Sequence, residues 1–195
     1  MYVEGGGDNK DTIKRCNEGF AAYCKKLVPE NRRPAIIACG GRNEAFDRFC
    51  IAVRNSRADD LCALLVDAEC PVKRPTPEQH LHERDGWDFP VLGRHKTFLM
   101  VQAMEAWFLA DREVLSSFYD GGFLAKSLPG SAMNIEVIRK EVLEPALKHA
   151  SKPTESKGEY HKVKHGFALL SQIDPAKVEK ASPHAAALHA FLRAL

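Results

Sequence analysis

Continuous apolar runs, rather than alternating ones, mark the strands that this sequence predicts. The runs lie at residues 34–39, 61–66 and 97–101, and residues 1–3 form a shorter β-prone segment. A short apolar run bounded by polar residues is typical of a strand buried on both faces, as in parallel sheets. Segments with the helical spacing of apolar residues separate the first three strands. The first third of the chain therefore predicts a β-α-β-α-β order with right-handed crossovers.

Helices are predicted between these strands and through the C-terminal part of the chain. Asp8 or Asp11 is the expected N-cap of the first helix, because acidic side chains accept hydrogen bonds from a helix's first amides. Asp111 is expected to cap a short helix over residues 112–118 in the same way. Asn134 is expected to cap an amphipathic helix that continues to about Ala150. The last segments to the C-terminus also have helical spacing.

One α/β domain over residues 1–195 accommodates this pattern. We expect a Rossmann-like, mostly parallel sheet core over about residues 1–118, flanked by helices, and a helical C-terminal part over about residues 133–195. The pattern shows no internal repeat.

Composition places the chain among ordinary globular proteins, with 45% hydrophobic and 28% charged residues. A formal net charge of +2 is too small to indicate a nucleic-acid binder by itself. The chain lacks the roughly 18 consecutive apolar residues of a membrane span, and its N-terminus lacks a signal pattern, so we expect a cytoplasmic protein without membrane contact. The six cysteines contain no C-x-x-C pair, which favours buried free thiols over a zinc site.

Acidic residues follow two of the predicted strands, where open α/β sheets usually carry their sites. Glu4 and Asp8 follow the first strand, and Asp67 and Glu69 follow the buried run at residues 61–66. If the chain stays extended, Asp67 and Glu69 point the same way, because side chains alternate along a strand. Oxygen ligands of this kind suit Mg²⁺ or Mn²⁺. The alternative is a pair of solvated carboxylates where a strand leaves the sheet.

Glu105 is the only charge in an apolar stretch that extends from about residue 98 to residue 110. Burying an unpaired carboxylate is costly, so we expect Glu105 to have a partner, which is a metal ion, a cation or a group of hydrogen-bond donors. The alternative is a glutamate that faces solvent near a helix N-terminus. The histidines at positions 80, 82 and 95 have no zinc-ligand spacing, and we expect them mostly at the surface, with substrate contact as the alternative.

A lysine-rich segment adds positive charge to this acidic set. Lys162 and Lys164 open a predicted C-terminal helix. The acids could hold one or two metal ions, and a lysine could neutralise a phosphate, which together make a phosphoryl-transfer site.

These motifs resemble the Toprim domain of OLD-like and RloB-like proteins, and in particular a stand-alone bacterial Toprim family of about this length. The resemblance rests on V-E-G-G-G-D, L-L-V-D-A-E, M-E-A-W-F-L-A-D and the C-terminal Y-x-K-x-x-H-G-x-x-L-L-x-x-I-D-P, which are residues 3–8, 64–69, 104–111 and 160–175. It covers nearly the whole chain. M-E-x-W-x-x-x-D is the most specific piece, since the general Toprim pattern lacks it.

The resemblance implies a Toprim fold and Mg²⁺- or Mn²⁺-dependent cleavage of DNA or RNA, with tRNA among the candidate substrates. Glu4 is implied as metal ligand and general base, Asp8 as a further acidic ligand, and Asp67 with Glu69 as the D-x-D pair. Glu105 joins the candidate ligands. Lys162 or Lys164 would be the transition-state cation. Candidate substrate contacts are Arg74, Lys162 and His165.

This chain departs from the family pattern at Glu69, where Asp is usual. The extra methylene would move a bound ion and could change metal preference or rate. Similar proteins accompany AAA-type or ABC-type ATPases in two-component phage defence, which implies an ATPase partner and leaves room for a homo-oligomer.

Three functions stay open from the sequence. One is a metal-dependent nuclease, and another is a hydrolase of small phosphorylated substrates. The third is a catalytically weak or inactive subunit that acts as a sensor or trigger in an ATPase complex.

Overall fold

Four short strands form the central sheet of this protein, whose computed structural model describes residues 1–130 and 133–195. Their order in the sheet is β2-β1-β3-β4, and all neighbours are parallel. The predicted α/β fold, with a parallel central sheet flanked by helices, is confirmed. The strands are β1 (Tyr2–Val3), β2 (Ile37–Ala38), β3 (Ala63–Asp67) and β4 (Lys96–Met100).

Helices occupy most of the remaining described chain. A single turn of π-helix, Lys162–Gly166, leads directly into the seventh α-helix. Short 3₁₀ turns lie at Glu30–Arg32 and Ala125–Ser127. The α-helices are α1 (Lys10–Lys25), α2 (Arg42–Arg54), α3 (Pro77–Asp85), α4 (Met104–Ala110), α5 (Arg112–Tyr119), α6 (Lys140–Ser151), α7 (Phe167–Gln172), α8 (Pro175–Ala181) and α9 (Pro183–Ala194). In these described residues, no helix is both long and apolar enough to cross a membrane.

β3 lies at the centre of the packing. All five of its residues are buried. Leu65 packs in the hydrophobic cluster that contains α4 and the C-terminal helices, whereas Leu64 and Val66 pack in a second cluster with α2 and α3. This two-sided burial is the environment that the apolar run predicted. Asp67, the last residue of β3, is therefore an ionisable residue at the buried end of an otherwise apolar strand.

Predicted helix starts were right in one case and wrong in two. Asp111 caps α5 as expected, since its side chain accepts from the amide of Val114. The cap of α1 is neither Asp8 nor Asp11 but Asn9, whose Oδ1 accepts from the Asp11 amide at 2.8 Å.

The helix expected from Asn134 begins at Lys140 instead. Long-range hydrogen bonds hold the preceding segment in turns. The amide of Ile135 donates to the Ala181 carbonyl at 3.1 Å, and the amide of Lys140 donates to Gln102 Oε1 at 3.1 Å. In a helix capped by Asn134, the amide of Lys140 would donate to the carbonyl of Glu136, so its bond to Gln102 takes the place of a helical bond.

The cysteine expectation is confirmed in its main point, because all six thiols are free and four of them are buried. Burial raises the pKa of Cys16 and of Cys24 to about 12, so both stay protonated at neutral pH.

Two of the three histidines expected at the surface are buried instead. His80 Nε2 donates to the Ala68 carbonyl at 2.9 Å, and His95 Nδ1 accepts from the Cys62 amide at 2.9 Å. Each imidazole therefore satisfies a backbone group next to one end of β3, which makes burial favourable.

Acid is expected to loosen the C-terminal helices through Glu179. The carboxylate accepts from both Nη atoms of Arg193, at 2.9 and 2.6 Å, and from His189 Nδ1 at 3.2 Å. The hydrogen bonds from Arg193, chiefly, lower the pKa of Glu179 to about 2. Because the folded pKa is below the unfolded value of about 4.5, this stabilisation is complete above that value and is lost as the pH falls towards 2.

We therefore expect Glu179→Gln to flatten the pH dependence of the melting temperature between about pH 5 and pH 2. Circular dichroism melts across this range would measure it. Glu144→Gln, which alters an i,i+4 pair with Lys148, is the control and should keep the wild-type slope. Equal slopes for Glu179→Gln and wild type would contradict this role.

Candidate metal centre at the carboxyl edge of the sheet

Glu4 and Asp67 meet because β1 and β3 are parallel neighbours that end at the same edge of the sheet. The ladder pairs Val3 with Leu65, and the amide of Glu4 donates to the Leu65 carbonyl at 3.0 Å. The amide of Asp67 in turn donates to Glu4 Oε2 at 3.0 Å. The carboxylate of Glu4 is thereby fixed beside the end of β3.

Glu69 reaches the same place by a route that differs from the expected extended chain. Its φ is 68°, in the left-handed region that non-glycine residues rarely adopt. Its amide donates to the Gln102 carbonyl at 2.8 Å, which anchors the turn. The expectation that alternation along an extended strand aligns Asp67 and Glu69 is therefore wrong. The turn nevertheless brings the carboxylates together, and ligand atoms of Glu4, Asp67 and Glu69 all lie within 4.8 Å of one another.

Asp67 is the most deeply buried member of this acidic cluster (Glu4, Asp67 and Glu69), at 5% exposure. Its Oδ1 accepts from the amide of Met104, the first residue of α4, at 2.8 Å. Burial, followed by the charges of Glu4 and Glu105, raises the pKa of Asp67 to about 8. Burial also raises the pKa of Glu4. Without a bound cation, Asp67 is therefore mostly protonated at neutral pH, and a cation at this site would favour its ionised form.

Arg42 supplies positive charge inside this site. Its Nη1 lies 3.5 Å from Glu4 Oε2 and 3.6 Å from Glu69 Oε1, and it donates to the Asp67 backbone carbonyl at 3.1 Å. A single guanidinium thus contacts all three members of the acidic cluster. Arg42 was not among the predicted site residues, although it follows the apolar run at residues 34–39 and so lies at the same edge of the sheet.

Asp85 and Trp87 hold the Arg42 side chain in position. Its Nη2 donates to Asp85 Oδ2 at 2.8 Å, and its guanidinium carbon lies 5.1 Å from the centroid of the Trp87 ring. The Trp87 ring is itself stacked on Phe46, with centroids 4.3 Å apart. A cation over an aromatic face at this distance is attracted to the ring. Arg42 is therefore a fixed cation rather than a mobile surface side chain.

Two further cations contact Glu69. Lys140 donates to Glu69 Oε1, and Arg84 Nη2 lies 3.5 Å from Glu69 Oε2. Burial pushes the pKa of Glu69 up, but the hydrogen bond and charge of Lys140, followed by the charges of Arg42 and Arg84, bring it below the ordinary value. The sequence around Lys140 did not predict this contact, because Lys140 is 71 residues from Glu69 in the chain.

Glu105 is buried at 3% exposure, and its partner is a cation, which is one of the kinds of partner expected from the sequence. Lys162 Nζ lies 3.1 Å from Glu105 Oε1, and Tyr160 Oη donates to the same oxygen at 3.2 Å. Burial alone would lower the pKa of Lys162, but the charges of Glu105 and Asp67 raise it overall, so Lys162 stays charged. Glu105 therefore binds and positions Lys162 rather than completing the acidic cluster.

A cavity of about 470 Å³ opens onto this centre. Glu4, Asp67 and Lys162 line it, and the glycine loop over residues 5–7 forms part of its rim. Asp8 also lines the cavity but is exposed, and it lies outside the acidic cluster.

Close approach of two loops requires glycine at position 40, which also lines this cavity. The residue has a φ of 78°, and a Cβ there would lie 2.7 Å from the Gly7 carbonyl oxygen. A side chain at Gly40 would therefore push the glycine loop away from the end of β2.

Three other candidate site residues lie away from the cavity. Lys164 lines a different groove, between α1 and α7. His165 is buried, and its Nδ1 accepts from Tyr119 Oη at 3.0 Å and from the His161 amide at 3.2 Å. Arg74 lines a surface cavity of about 640 Å³ beside α3, where its Nη2 donates to Glu83 Oε1 at 2.7 Å. Of the candidate cations, the structure therefore brings Lys162 to the carboxylates and places Lys164 and Arg74 elsewhere.

The acidic cluster fits a hard divalent cation. All its candidate ligand atoms are carboxylate oxygens, the donors that Mg²⁺ and Mn²⁺ prefer. Opposite ligands of an octahedral Mg²⁺ lie about 4 Å apart, close to the spread of these atoms. A cation would also offset the effects of burial and of the neighbouring carboxylates, which together raise the pKa of Asp67.

Fold and site together define an α/β protein with an acidic centre at the carboxyl edge of a parallel sheet. The chain belongs to the family described as "Domain of unknown function (DUF4276)", whose model matches residues 3–193. No curated protein and no solved structure matched the chain.

Proposed function

We propose that this protein is a metal-dependent phosphodiesterase that cuts DNA or RNA. The observation that carries the proposal is the acidic cluster, whose ligand atoms lie within 4.8 Å of one another. Two of its members, Glu4 and Asp67, line a cavity that Lys162 also lines. Mg²⁺ or Mn²⁺ would be held by Glu4, Asp67 and Glu69. The resemblance to Toprim nucleases supports the same chemistry, and the Toprim assignment stays a prediction.

The residues around the cavity have separate tasks in this proposal. A bound ion would polarise a phosphoryl oxygen and provide an activated water. Lys162, held by Glu105 and Tyr160, presents a positive charge to the phosphate and stabilises the charge that develops there. Arg42 keeps the carboxylates of Glu4 and Glu69 close together.

A cleavage assay tests the proposal directly. Plasmid DNA, single-stranded DNA and total tRNA would be incubated with the protein and with Mg²⁺ or Mn²⁺. We expect metal-dependent cleavage of at least one substrate, and a loss of about 100-fold or more for Glu4→Gln, since one ligand and one charge are removed.

Asp59→Asn is the matched control for this assay. Asp59 is exposed and precedes the amino end of β3, at the opposite edge of the sheet, so this variant should cut like wild type. Absence of metal-dependent cleavage on every substrate, also after addition of an ATPase encoded beside the gene, would refute the proposal.

The same resemblance extends the proposal to a biological setting. We propose that the protein acts in the cytoplasm as the nuclease of a two-component antiviral defence system, together with an AAA-type or ABC-type ATPase. Co-purification of the chain with an ATPase encoded beside its gene would test this partnership.

A catalytically weak or inactive subunit, which acts as a sensor or trigger in an ATPase complex, is the second candidate. The observation in its favour is that Lys140, Arg42 and Arg84 all contact Glu69, so that protein cations take the place of an ion at this carboxylate. In that case wild type would show no saturable Mn²⁺ binding by calorimetry. Saturable binding that Glu4→Gln weakens would instead favour the enzyme.

A further inference from the structure

The cavity at the metal centre has a polar side and an apolar side. Glu4, Asp67 and Lys162 line the polar side. Its large apolar lining residues are Met100, Met104, Val163 and Phe167, and the glycine loop, Asp8, Asn9, Thr12 and Gly40 complete the lining. Its volume of about 470 Å³ is within the range that binds small organic groups. A site for a hydrated metal ion and phosphate alone has no need of such an apolar wall.

Phe167 is the aromatic part of this wall, and its position is fixed. It is 7% exposed, and two glycines allow the chain to pack against it closely. A Cβ on Gly19 would lie 2.8 Å from the Phe167 carbonyl oxygen, and one on Gly5 would lie 3.4 Å from the ring. Met100 and Met104, at 1% and 4% exposure, are equally fixed by the core. The wall therefore exists before any ligand binds.

A nucleotide has the chemistry that matches both sides. Its phosphate suits a site with a divalent cation and a lysine, and its base suits polarisable methionine and aromatic surface. A base that remains stacked and paired inside a duplex cannot enter a cavity of this size. The base must be unstacked, as it is in a single strand or at a frayed end.

We propose that the cavity binds one unpaired nucleotide of a single strand, with its base against Met100, Met104 and Phe167 and its phosphate beside Lys162 and the acidic cluster. The proposal rests on the proposed function and narrows its substrate class to single-stranded nucleic acid or strand ends.

Equilibrium binding tests this without requiring cleavage. The probe is a fluorescein-labelled single-stranded oligonucleotide in Ca²⁺, a hard cation that takes oxygen ligands. Fluorescence anisotropy would compare it with a blunt duplex and with an oligonucleotide of abasic sugars. We expect the intact single strand to bind about tenfold or more tightly than either, because base stacking on aromatic side chains contributes about 1–3 kcal/mol.

Val163→Trp is the protein-side test. Val163 is 38% exposed, lines the cavity and has no polar side-chain atom that could hold the metal, so an indole there would fill the space for the base. We expect it to weaken single-strand binding about tenfold or more while Mn²⁺ binding stays unchanged. Val137→Trp, at a position that is 66% exposed and outside this cavity, is the matched control. Lys164→Ala checks the neighbouring groove, which Val163 also lines, and should leave binding unchanged.

The outcomes separate this inference from the proposed function. Equal binding of duplex and single strand, or no loss with abasic sugars, overturns the inference, whether or not the protein cuts. Metal-dependent cleavage of a blunt duplex that Val163→Trp leaves unchanged overturns the inference alone. Single-strand selectivity without cleavage supports the inference and refutes the proposed enzyme. The comparison of the intact with the abasic oligonucleotide uses wild-type protein, so it tests the inference even if Val163→Trp fails to fold.

Discussion

Asp67→Asn is expected to abolish metal binding and to stabilise the metal-free protein. Asparagine has almost the same shape, and its Oδ1 can still accept from the Met104 amide, as Asp67 does now at 2.8 Å. The substitution removes a buried carboxyl whose ionisation burial, followed by the charges of Glu4 and Glu105, disfavours. It also removes a ligand of the proposed metal ion. We expect metal-dependent cleavage to fall about 100-fold or more. Asparagine needs no proton to be neutral in the folded state, whereas Asp67 is ionised in the unfolded chain, so the free energy of unfolding of the metal-free protein at neutral pH should rise by about 1–2 kcal/mol.

Two measurements on purified protein would check the expected loss of metal binding and the expected gain in stability. Calorimetric titration with Mn²⁺ reports the ligand role, and urea unfolding in chelator reports the stability of the metal-free state. Asp67→Ala serves as a comparison, because it removes the same carboxyl group but leaves the Met104 amide without its acceptor and should destabilise the fold. An unchanged Mn²⁺ isotherm for Asp67→Asn would eliminate the assignment of Asp67 as a ligand.

Trp107→Ala is expected to cause a large loss of stability, about 3–5 kcal/mol, as is typical for truncating a buried large aromatic side chain. Trp107 has no exposed surface. Its ring lies 5.3 Å from that of Tyr23 in α1 and 6.5 Å from that of His189 in α9, centroid to centroid. A side chain of α4 thus joins the N-terminal and C-terminal helices, and its removal leaves a cavity between them.

Urea unfolding followed by circular dichroism would measure the loss caused by Trp107→Ala. Ile51→Ala on α2 is the control, because Ile51 is 55% exposed and its truncation should change stability by about 0.5 kcal/mol or less. A loss below about 1 kcal/mol for Trp107→Ala would mean that the neighbouring helices collapse into the space, and that α4 does not join them as described.

Sequence reasoning worked best where the signal is local. The apolar run at residues 61–66 predicted β3, found at Ala63–Asp67, and the run at residues 97–101 predicted β4, found at Lys96–Met100. Burial on both faces selects such runs, and polar residues end them, so the edge of the sheet is visible in the sequence. Parallel strands then bring Glu4 and Asp67 to one place without further information.

The spacing of residues in the lysine-rich segment did not predict whether Lys162 or Lys164 lies beside the carboxylates. Lys162 and Lys164 are equivalent in the sequence, but one turn of π-helix directs Lys162 to Glu105 and places Lys164 beside α1. His165, one residue further, hydrogen-bonds Tyr119 in the interior. The direction of each side chain depends on the exact turn, which apolar spacing does not encode.

The sequence by itself determined the α/β fold, the carboxyl edge of the sheet and the presence there of Glu4 and Asp67, because short hydrophobic runs and parallel pairing suffice for these. The tertiary structure alone decided how Glu69 turns back and which cations contact it. Arg42 and Lys140 come from helices far along the chain, and their positions depend on packing against Trp87 and on the turns before α6. Contacts between such distant segments form only when the whole core is assembled, so a local sequence pattern cannot predict them.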